Sequence, residues 1–203
     1  FKKREVSFQS LKRRLDAIPK ESWTNSEQVD WYILWAEMNG YLFNDKILKP
    51  WERDPAFYKS IWTYKSDVPA HEGPTHHAII ELWQYKFPLD KISQKKLTSS
   101  LGIIPKLNQQ ARINLTGNAK DLWIAGIRDI EDQSEVLENL LSKPSVAGDK
   151  ILVKAINKAK NATDEFVNWL KQEAPKKNGP SGIGKENYTW YQQNVHLVPL
   201  SWE

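Results

Sequence analysis

Residues 182–199 read Gly-Ile-Gly-Lys-Glu-Asn-Tyr-Thr-Trp-Tyr-Gln-Gln-Asn-Val-His-Leu-Val-Pro, and the rest of the sequence is best interpreted outward from them. Gly182 and Gly184 have no Cβ, so they give the backbone a freedom that other residues lack. Residues 178–181, Asn-Gly-Pro-Ser, cannot continue a preceding helix because proline has no amide hydrogen and a fixed φ. The pattern predicts a fixed elbow, then a short amphipathic helix and an apolar exit to Pro199.

Three side chains after this elbow combine an apolar body with a polar tip: Tyr188, Tyr191 and His196. Side chains of this kind beside a glycine elbow are suited to lining a substrate channel. Together with Gly182 and Gly184 they form the candidate substrate-binding set. Bracing of the elbow is the alternative role of the same residues, and the sequence alone favours it.

The run Gly-x-Gly-Lys-Glu-x-Tyr-x-Trp-Tyr at residues 182–191, followed by Val-His-Leu-Val-Pro-Leu-Ser at residues 195–201, resembles the middle portion of a bacterial family. That family is called domain of unknown function eight-eight-five. Residues 104–142, and the Asn-Leu-Thr-Gly at residues 114–117, resemble the stretch that precedes the elbow in its members. The resemblance runs from about Trp31 to the last residue, and it implies a mostly helical protein related to zinc-dependent peptidases.

The resemblance also implies where the chemistry lies. In the family a metal-binding signature, His-Glu-x-x-Pro-Gly-His followed later by a glutamate, comes after the elbow, whereas this sequence stops at Glu203. We therefore expect no catalytic residue and no metal ligand in this chain, and zinc only in a missing C-terminal portion against which the chain packs. Residues 1–203 are then a single helical domain, the N-terminal portion of a larger protein. Family members are often exported or lipid-anchored, which leaves a periplasmic or lipid-anchored location open.

Composition and charge narrow the function classes. The net charge of +4 arises from 29 basic and 25 acidic residues dispersed along the chain, as on solvated helix faces, so nucleic acid is not an expected partner. No apolar run approaches the roughly 20 residues that a membrane span requires. The absence of cysteine excludes disulfides and thiolate metal sites. Most of the ten tryptophans are interpreted as large core residues of a helical bundle.

Helical periodicity dominates the first quarter of the chain. An amphipathic helix is predicted from apolar residues at helical spacing between Phe8 and Ile18, ending before Pro19. Residues 24–27, Thr-Asn-Ser-Glu, have the form of a capping box and predict the start of a long helix that runs to about Ile47. This helix is too apolar for a one-sided surface helix, so we expect it at the centre of the bundle.

The helical period of apolar residues continues from there to the elbow, and strand-like alternation is hard to find. Further helices are predicted over residues 75–87, from about 89 to 115 with a kink or break at Pro105, from 118 to about 143, and from 149 to 175. Gly117 has the position of a C-terminal cap and Asp149 that of an N-cap. The expected fold class is all-α, a bundle of long antiparallel helices with short connections.

Residues 71–77, His-Glu-Gly-Pro-Thr-His-His, superficially resemble the zinc signature His-Glu-x-x-His. In that signature the two histidines stand four positions apart on one helix face, which lets both reach one ion. Here the nearest second histidine stands five positions away, and Gly73-Pro74 would break the helix. We therefore predict a loop at residues 71–74, with Thr75 as the N-cap of the next helix, and no metal site.

Two functions from different classes remain open. In the first, the chain is the N-terminal helical portion of a metal-dependent peptidase-like hydrolase and forms part of the cleft for a peptide-like substrate. The resemblance then implies that a zinc-bound water attacks a peptide carbonyl elsewhere in the protein, and that this chain alone is inactive. In the second, the chain is a non-enzymatic helical module that binds a peptide or partner protein through an aromatic groove.

Overall fold

The computed structural model describes residues 2–65 and 78–203. Within these ranges the protein is mostly helical, with 72% helix and 2% strand. The predicted all-α class is therefore confirmed. None of the helices in the described ranges combines the length and the apolar composition that a membrane span needs.

The described residues contain nine α-helices, two short strands and several single turns of other helix types. The α-helices are α1 Lys2–Asp16, α2 Asn25–Phe43, α3 Pro50–Arg53, α4 Lys91–Leu101, α5 Ile104–Asn114, α6 Lys120–Leu141, α7 Pro144–Ala147, α8 Lys150–Glu173 and α9 Lys185–Asn194. Turns of 3-10 helix cover Lys20–Ser22, Pro55–Tyr58, Leu82–Gln84 and Ala174–Lys176, and a π-helical turn covers Asn44–Leu48. The strands are β1 Ile61–Trp62 and β2 Ile80–Glu81, which pair in parallel.

The chain divides into two compact units. Unit 1 consists of Phe1–Leu48 and Ile183–Glu203, and unit 2 of Lys49–Gly182. Unit 1 contains α1, α2 and α9, whereas unit 2 contains α3 to α8 and both strands. The expectation of one domain over residues 1–203 stays a prediction.

The start of α2 follows the local sequence closely. The Thr24 side chain accepts a hydrogen bond from the Glu27 amide, and the Glu27 carboxylate accepts one from the Thr24 amide at 2.8 Å. These reciprocal bonds satisfy free donors at the helix start, so the predicted capping box is confirmed. The α-helix ends at Phe43, and the chain continues as the π-helical turn Asn44–Leu48 rather than as α-helix to Ile47.

The expected central position of α2 stays a prediction, and the helix is less buried than its apolar composition suggests. Its buried residues are only Trp31, Ala36, Asn39 and Phe43. Val29, Ile33 and Leu34 are each more than half exposed, at 55%, 53% and 58%. Within unit 1 this helix packs against α1 and α9, and two neighbours cannot cover the whole circumference of an apolar helix.

Unit 2 is built around α6 and α8, which cross in antiparallel directions. Glu138 near the end of α6 pairs with Lys160 at 3.4 Å, while Glu131, about two turns earlier, pairs with Lys171, later in α8. The buried faces of both helices, with those of α4 and α5, form the core around fully buried side chains such as Trp123. The predicted antiparallel packing is confirmed for this pair.

The predicted helix over residues 75–87 is wrong for the part that the structure describes. Ile80 and Leu82 are buried while Glu81 between them is exposed, which is the two-residue period of a strand. The Ile80 amide donates to the Ser60 carbonyl at 2.7 Å, so residues 80–81 form β2 instead. The loop and N-cap predicted between His71 and Thr75 lie outside the described residues.

Three predictions about helix ends have different outcomes. Pro105 divides the helix, because α4 ends at Leu101 and α5 begins at Ile104 with the proline in its first turn. Asp149 is the N-cap of α8, and its carboxylate accepts from two backbone amides.

Gly117 is not a C-cap, because α5 ends about one turn earlier, at Asn114. A Cβ at Gly117 would stand 2.8 Å from the Glu52 carbonyl oxygen. Glycine is needed there for close backbone approach.

Candidate functional site

The first half of the elbow is anchored within unit 2. The Arg53 guanidinium donates to the carbonyl oxygens of residues 180–182, with the shortest bond at 2.8 Å to Ser181. The Ser181 hydroxyl accepts from the backbone amides of Asp121 and Leu122 at 2.7 and 3.3 Å. It therefore caps α6, whose own N-cap residue offers no side-chain bond. The predicted fixed elbow has a physical basis on this side.

The two glycines of the candidate set differ in what their backbones require. Gly184 precedes α9 with a φ of 82°, in the region that favours glycine. Gly182 has no positive φ, and a Cβ there would meet nothing within 4 Å. Backbone geometry therefore explains glycine at position 184 and does not explain it at position 182.

The three candidate side chains lie together around the end of α9. Gln192 joins two of them, because its Nε2 donates to the Tyr188 hydroxyl at 3.1 Å and its Oε1 lies 2.7 Å from the His196 Nδ1. The Tyr191 ring packs edge-on against His196 and at a tilt against Phe43, both at 4.8 Å between centroids. This mutual bonding is consistent with bracing, and a role in substrate contact stays a prediction.

A groove that sequence reasoning did not locate lies beside this turn. We call it the aromatic groove. It has a volume of about 600 Å³ and lies between α2 and the end of α9 with the chain that follows it; its lining consists of Val29, Tyr32, Ile33, Trp35, Gln193, Leu197 and Pro199. Two segments of unit 1 form it, one from each end of the sequence. The Asn39 side-chain amide donates to the Asn194 carbonyl at 3.1 Å and ties these segments together.

A cluster of aromatic rings fixes the α2 wall of the aromatic groove. Trp31 is buried, and its indole N–H donates to the Leu15 carbonyl at 3.0 Å. Trp35 stacks on Trp31 at 6.1 Å, and Tyr32 meets both rings edge-on. Tyr32 itself stays 41% exposed. Its ring is therefore held in place while part of its surface remains exposed.

The other wall contains a strained residue. Leu197 has a φ of 56°, a left-handed conformation that costs an L-residue about 1–2 kcal/mol. In this conformation the Val198 amide donates a hydrogen bond to the Gln192 carbonyl at 2.9 Å. The Leu197 side chain lines the groove and is 41% exposed. Strain of this kind concentrates at binding sites, where the surrounding structure maintains it.

A carboxyl group in unit 2, that of Asp54, has a pKa far from its ordinary value. Burial, with a smaller contribution from the nearby Asp129, raises the pKa of Asp54 to about 6, although the hydrogen bond from the Ala56 amide opposes the rise. That amide lies 2.9 Å from the Asp54 carboxylate, which caps the turn Pro55–Tyr58. A shifted pKa accompanies both functional sites and structural ion networks. The capping contact gives Asp54 a structural role.

Acidic pairs elsewhere in unit 2 are satisfied by lysines. Glu131 pairs with Lys171, and Asp164 pairs with Lys160 at 2.9 Å. No group of three histidine, cysteine, aspartate or glutamate side chains suited to a metal ion occurs in residues 2–65 and 78–203. The His71 region lies outside those ranges. The carboxylates of Glu131 and Asp164 thus belong to solvated ion pairs on helix faces.

Comparisons of the chain with protein-family models, with curated proteins and with solved structures find no match. The resemblance carried by residues 182–201 therefore stays a prediction. The geometry of unit 1, where α9 and the aromatic groove lie next to each other, is therefore the basis for the proposed function.

Proposed function

We propose that unit 1 binds a short apolar peptide segment in the aromatic groove. The observation that supports this most directly is the lining itself: among its residues Gln193 alone has a fully polar side chain, while Val29 and Ile33 are more than half exposed. Contiguous exposed apolar surface of this kind marks interaction sites in soluble proteins. The volume of about 600 Å³ falls within the range of about 300–1,000 Å³ that is typical of ligand sites.

The chemistry of the groove indicates how a peptide would be held. Apolar side chains of the peptide would cover Val29, Ile33 and Leu197, and each fully buried apolar side chain contributes about 1.5–3 kcal/mol. The Tyr32 ring offers a rigid apolar face at low entropic cost, which is typical of residues that dominate binding energy. The Gln193 carboxamide can both donate to and accept from a peptide backbone. Aromatic anchoring with one or two polar contacts would therefore select apolar segments.

Removal of the Tyr32 ring is expected to weaken peptide binding about tenfold, because an aromatic anchor of this kind contributes about 1–2 kcal/mol. The probe is a fluorescein-labelled random heptapeptide library, selected on the immobilised full chain and then measured peptide by peptide with fluorescence polarisation. The variant is Tyr32→Ala. Because the Tyr32 ring is 41% exposed, its removal should leave the fold intact, and the far-UV circular dichroism of the variant should match that of the parent protein.

The matched control is Tyr64→Ala, which removes an equally large ring that is 65% exposed in unit 2. Peptide affinity should be unchanged in this control. Selection of no peptide, or an equal loss of affinity in the two variants, would exclude the aromatic groove as the binding site.

The resemblance of residues 182–201 supports a second proposal that is compatible with the first. The chain is the N-terminal helical portion of a metal-dependent peptidase-like hydrolase, and its surface forms part of the cleft for a peptide-like substrate. Tyr188, Tyr191 and His196 then line that cleft, as the sequence analysis expected. The residues described offer no set of three metal ligands, so no step of the reaction is assigned to them.

This second proposal predicts that the purified 203-residue chain does not hydrolyse peptides and does not hold zinc in a fixed ratio. Zinc content is measured by mass spectrometry after dialysis, and turnover by the release of fluorescence from a labelled casein. Stoichiometric zinc together with turnover would overturn the assignment. A His-Glu-x-x-Pro-Gly-His signature in the gene beyond the codon for Glu203 would support it independently.

A further inference from the structure

A second groove in unit 1 uses a different face of α2. It lies between α1 and α2, has a volume of about 860 Å³, and is called here the α1–α2 groove; its lining consists of Phe8, Leu11, Arg14, Leu15, Ala17, Ile18, Leu34, Glu37, Met38 and Tyr41. It shares no lining residue with the aromatic groove. The two surfaces can therefore be tested independently.

The shape of this groove matches that of a helix. Leu15 at its base is 8% exposed, whereas Leu11 and Leu34 along its edges are 53% and 58% exposed. Two packed helices leave a cleft into which the side chains of a third helix fit at positions i, i+4 and i+7. The lining extends from Phe8 on α1 to Ala17 just after its end, a length of about 14 Å, or two to three helical turns. An occupant helix can therefore insert three apolar side chains.

Two charged side chains line the groove, Arg14 and Glu37, and Glu37 already has an interaction partner of its own in the protein. The charge of Arg14 therefore specifies the occupant further. The neighbouring cations of unit 1 have partners: Lys12 pairs with Asp16 at 3.0 Å, and Lys46 pairs with Glu5 at 3.2 Å. Arg14 is exposed at the groove, and within the described part of the chain its guanidinium forms no hydrogen bond or ion pair. A carboxylate beside the apolar residues of the occupant would pair with it, and arginine suits this geometry because it can bond a carboxylate with two N–H groups.

We propose that the α1–α2 groove binds an amphipathic α-helix with apolar residues on one face and a carboxylate aligned with Arg14. The apolar face supplies affinity, and the arginine selects acidic over basic helices. This inference does not depend on the proposed peptide site, because Tyr32→Ala should leave binding in the α1–α2 groove unchanged.

The test uses two synthetic peptides of about 15 residues, long enough for partial helicity, with leucine at i, i+4, i+7 and i+11. The remaining positions are alanine and glutamate in one peptide and alanine and lysine in the other. Both are labelled with fluorescein and titrated with the full chain by fluorescence polarisation. We expect the glutamate peptide to bind about tenfold more tightly than the lysine peptide.

Three variants of the chain sharpen the result. Arg14→Glu should reverse the preference between the two peptides, whereas Arg13→Glu, a charge reversal next to it outside the lining, should preserve the preference. Leu34→Gln should weaken both peptides about tenfold, whereas Ile92→Gln, at an 80% exposed position on α4, should leave both affinities unchanged. Circular dichroism of each variant establishes that it is folded.

Equal affinity for the two peptides, or binding that is insensitive to Leu34→Gln in the folded variant, would show that this groove does not recognise an acidic amphipathic helix. Sedimentation velocity tests the competing occupant, a second copy of the chain. A dimer that Leu34→Gln separates into monomers, with no displacement by the glutamate peptide, would assign the groove to self-association and overturn the proposal.

Discussion

Replacing Gln133 with leucine is expected to lower the free energy of unfolding by about 3–5 kcal/mol, because it leaves buried backbone donors without partners. Gln133 is fully buried on α6. Its Oε1 accepts hydrogen bonds from the amides of Ser60 and Ile61 at 2.6 and 3.1 Å, and its Nε2 donates to the Thr163 hydroxyl at 3.2 Å. Leucine has a similar volume and offers no acceptor, so both amides at the start of β1 lose their bonds.

Urea denaturation of the parent protein and of Gln133→Leu measures this loss as a lower midpoint at unchanged slope. Thr163→Val is the matched control, because it removes one partner of the same glutamine and leaves the two amides satisfied. Its expected cost is about 1–2 kcal/mol. If the two variants are equally stable, the bonds to Ser60 and Ile61 do not contribute as the geometry indicates.

This residue also explains why one part of the fold could not be predicted from the sequence. The helices α1, α6 and α8 follow from local periodicity, and the caps at Thr24 and Asp149 follow from neighbouring residues. The pair β1–β2 has only two residues in each strand, and the amides of Ser60 and Ile61 at the start of β1 donate to Gln133, more than 70 positions away. Local pattern carries no information about such a partner.

Only part of the candidate site could likewise be predicted from the sequence. Tyr188, Tyr191 and His196 could be grouped in advance because they are close in sequence around one short helix. The aromatic groove could not, since it joins the segment around Tyr32 to the segment around Leu197, and 155 positions separate Asn39 from its bonding partner Asn194. The exposure of α2 depends likewise on how many helices surround it, a tertiary property that its apolar composition does not specify.

Replacing Asp54 with asparagine is expected to raise the free energy of unfolding by roughly 3 kcal/mol above pH 7 and to change it little near pH 4. Burial raises the pKa of the Asp54 carboxyl from its ordinary 3.8 to about 6 in the folded protein. The folded state therefore binds this proton more tightly than the unfolded state. The parent protein loses stability as the pH rises from about 4 through 6, because ionisation then requires a buried charge. Asparagine stays neutral, and its side-chain oxygen can still accept from the Ala56 amide.

The measurement is the difference in unfolding free energy between the parent protein and Asp54→Asn, from urea titrations at several pH values between 4 and 8. Asp90→Asn is the matched control, since Asp90 also caps a helix, at α4, but is exposed. Hydrogen bonds from Ser93 lower the pKa of Asp90, so its contribution to stability is present at neutral pH and disappears as the pH falls below its ordinary range. Between pH 4 and 8 the difference for Asp90→Asn should therefore stay nearly constant, whereas the difference for Asp54→Asn should grow. A difference for Asp54→Asn that is constant from pH 4 to 8 would mean that this carboxyl keeps an ordinary pKa, and that its burial is relieved by solvent.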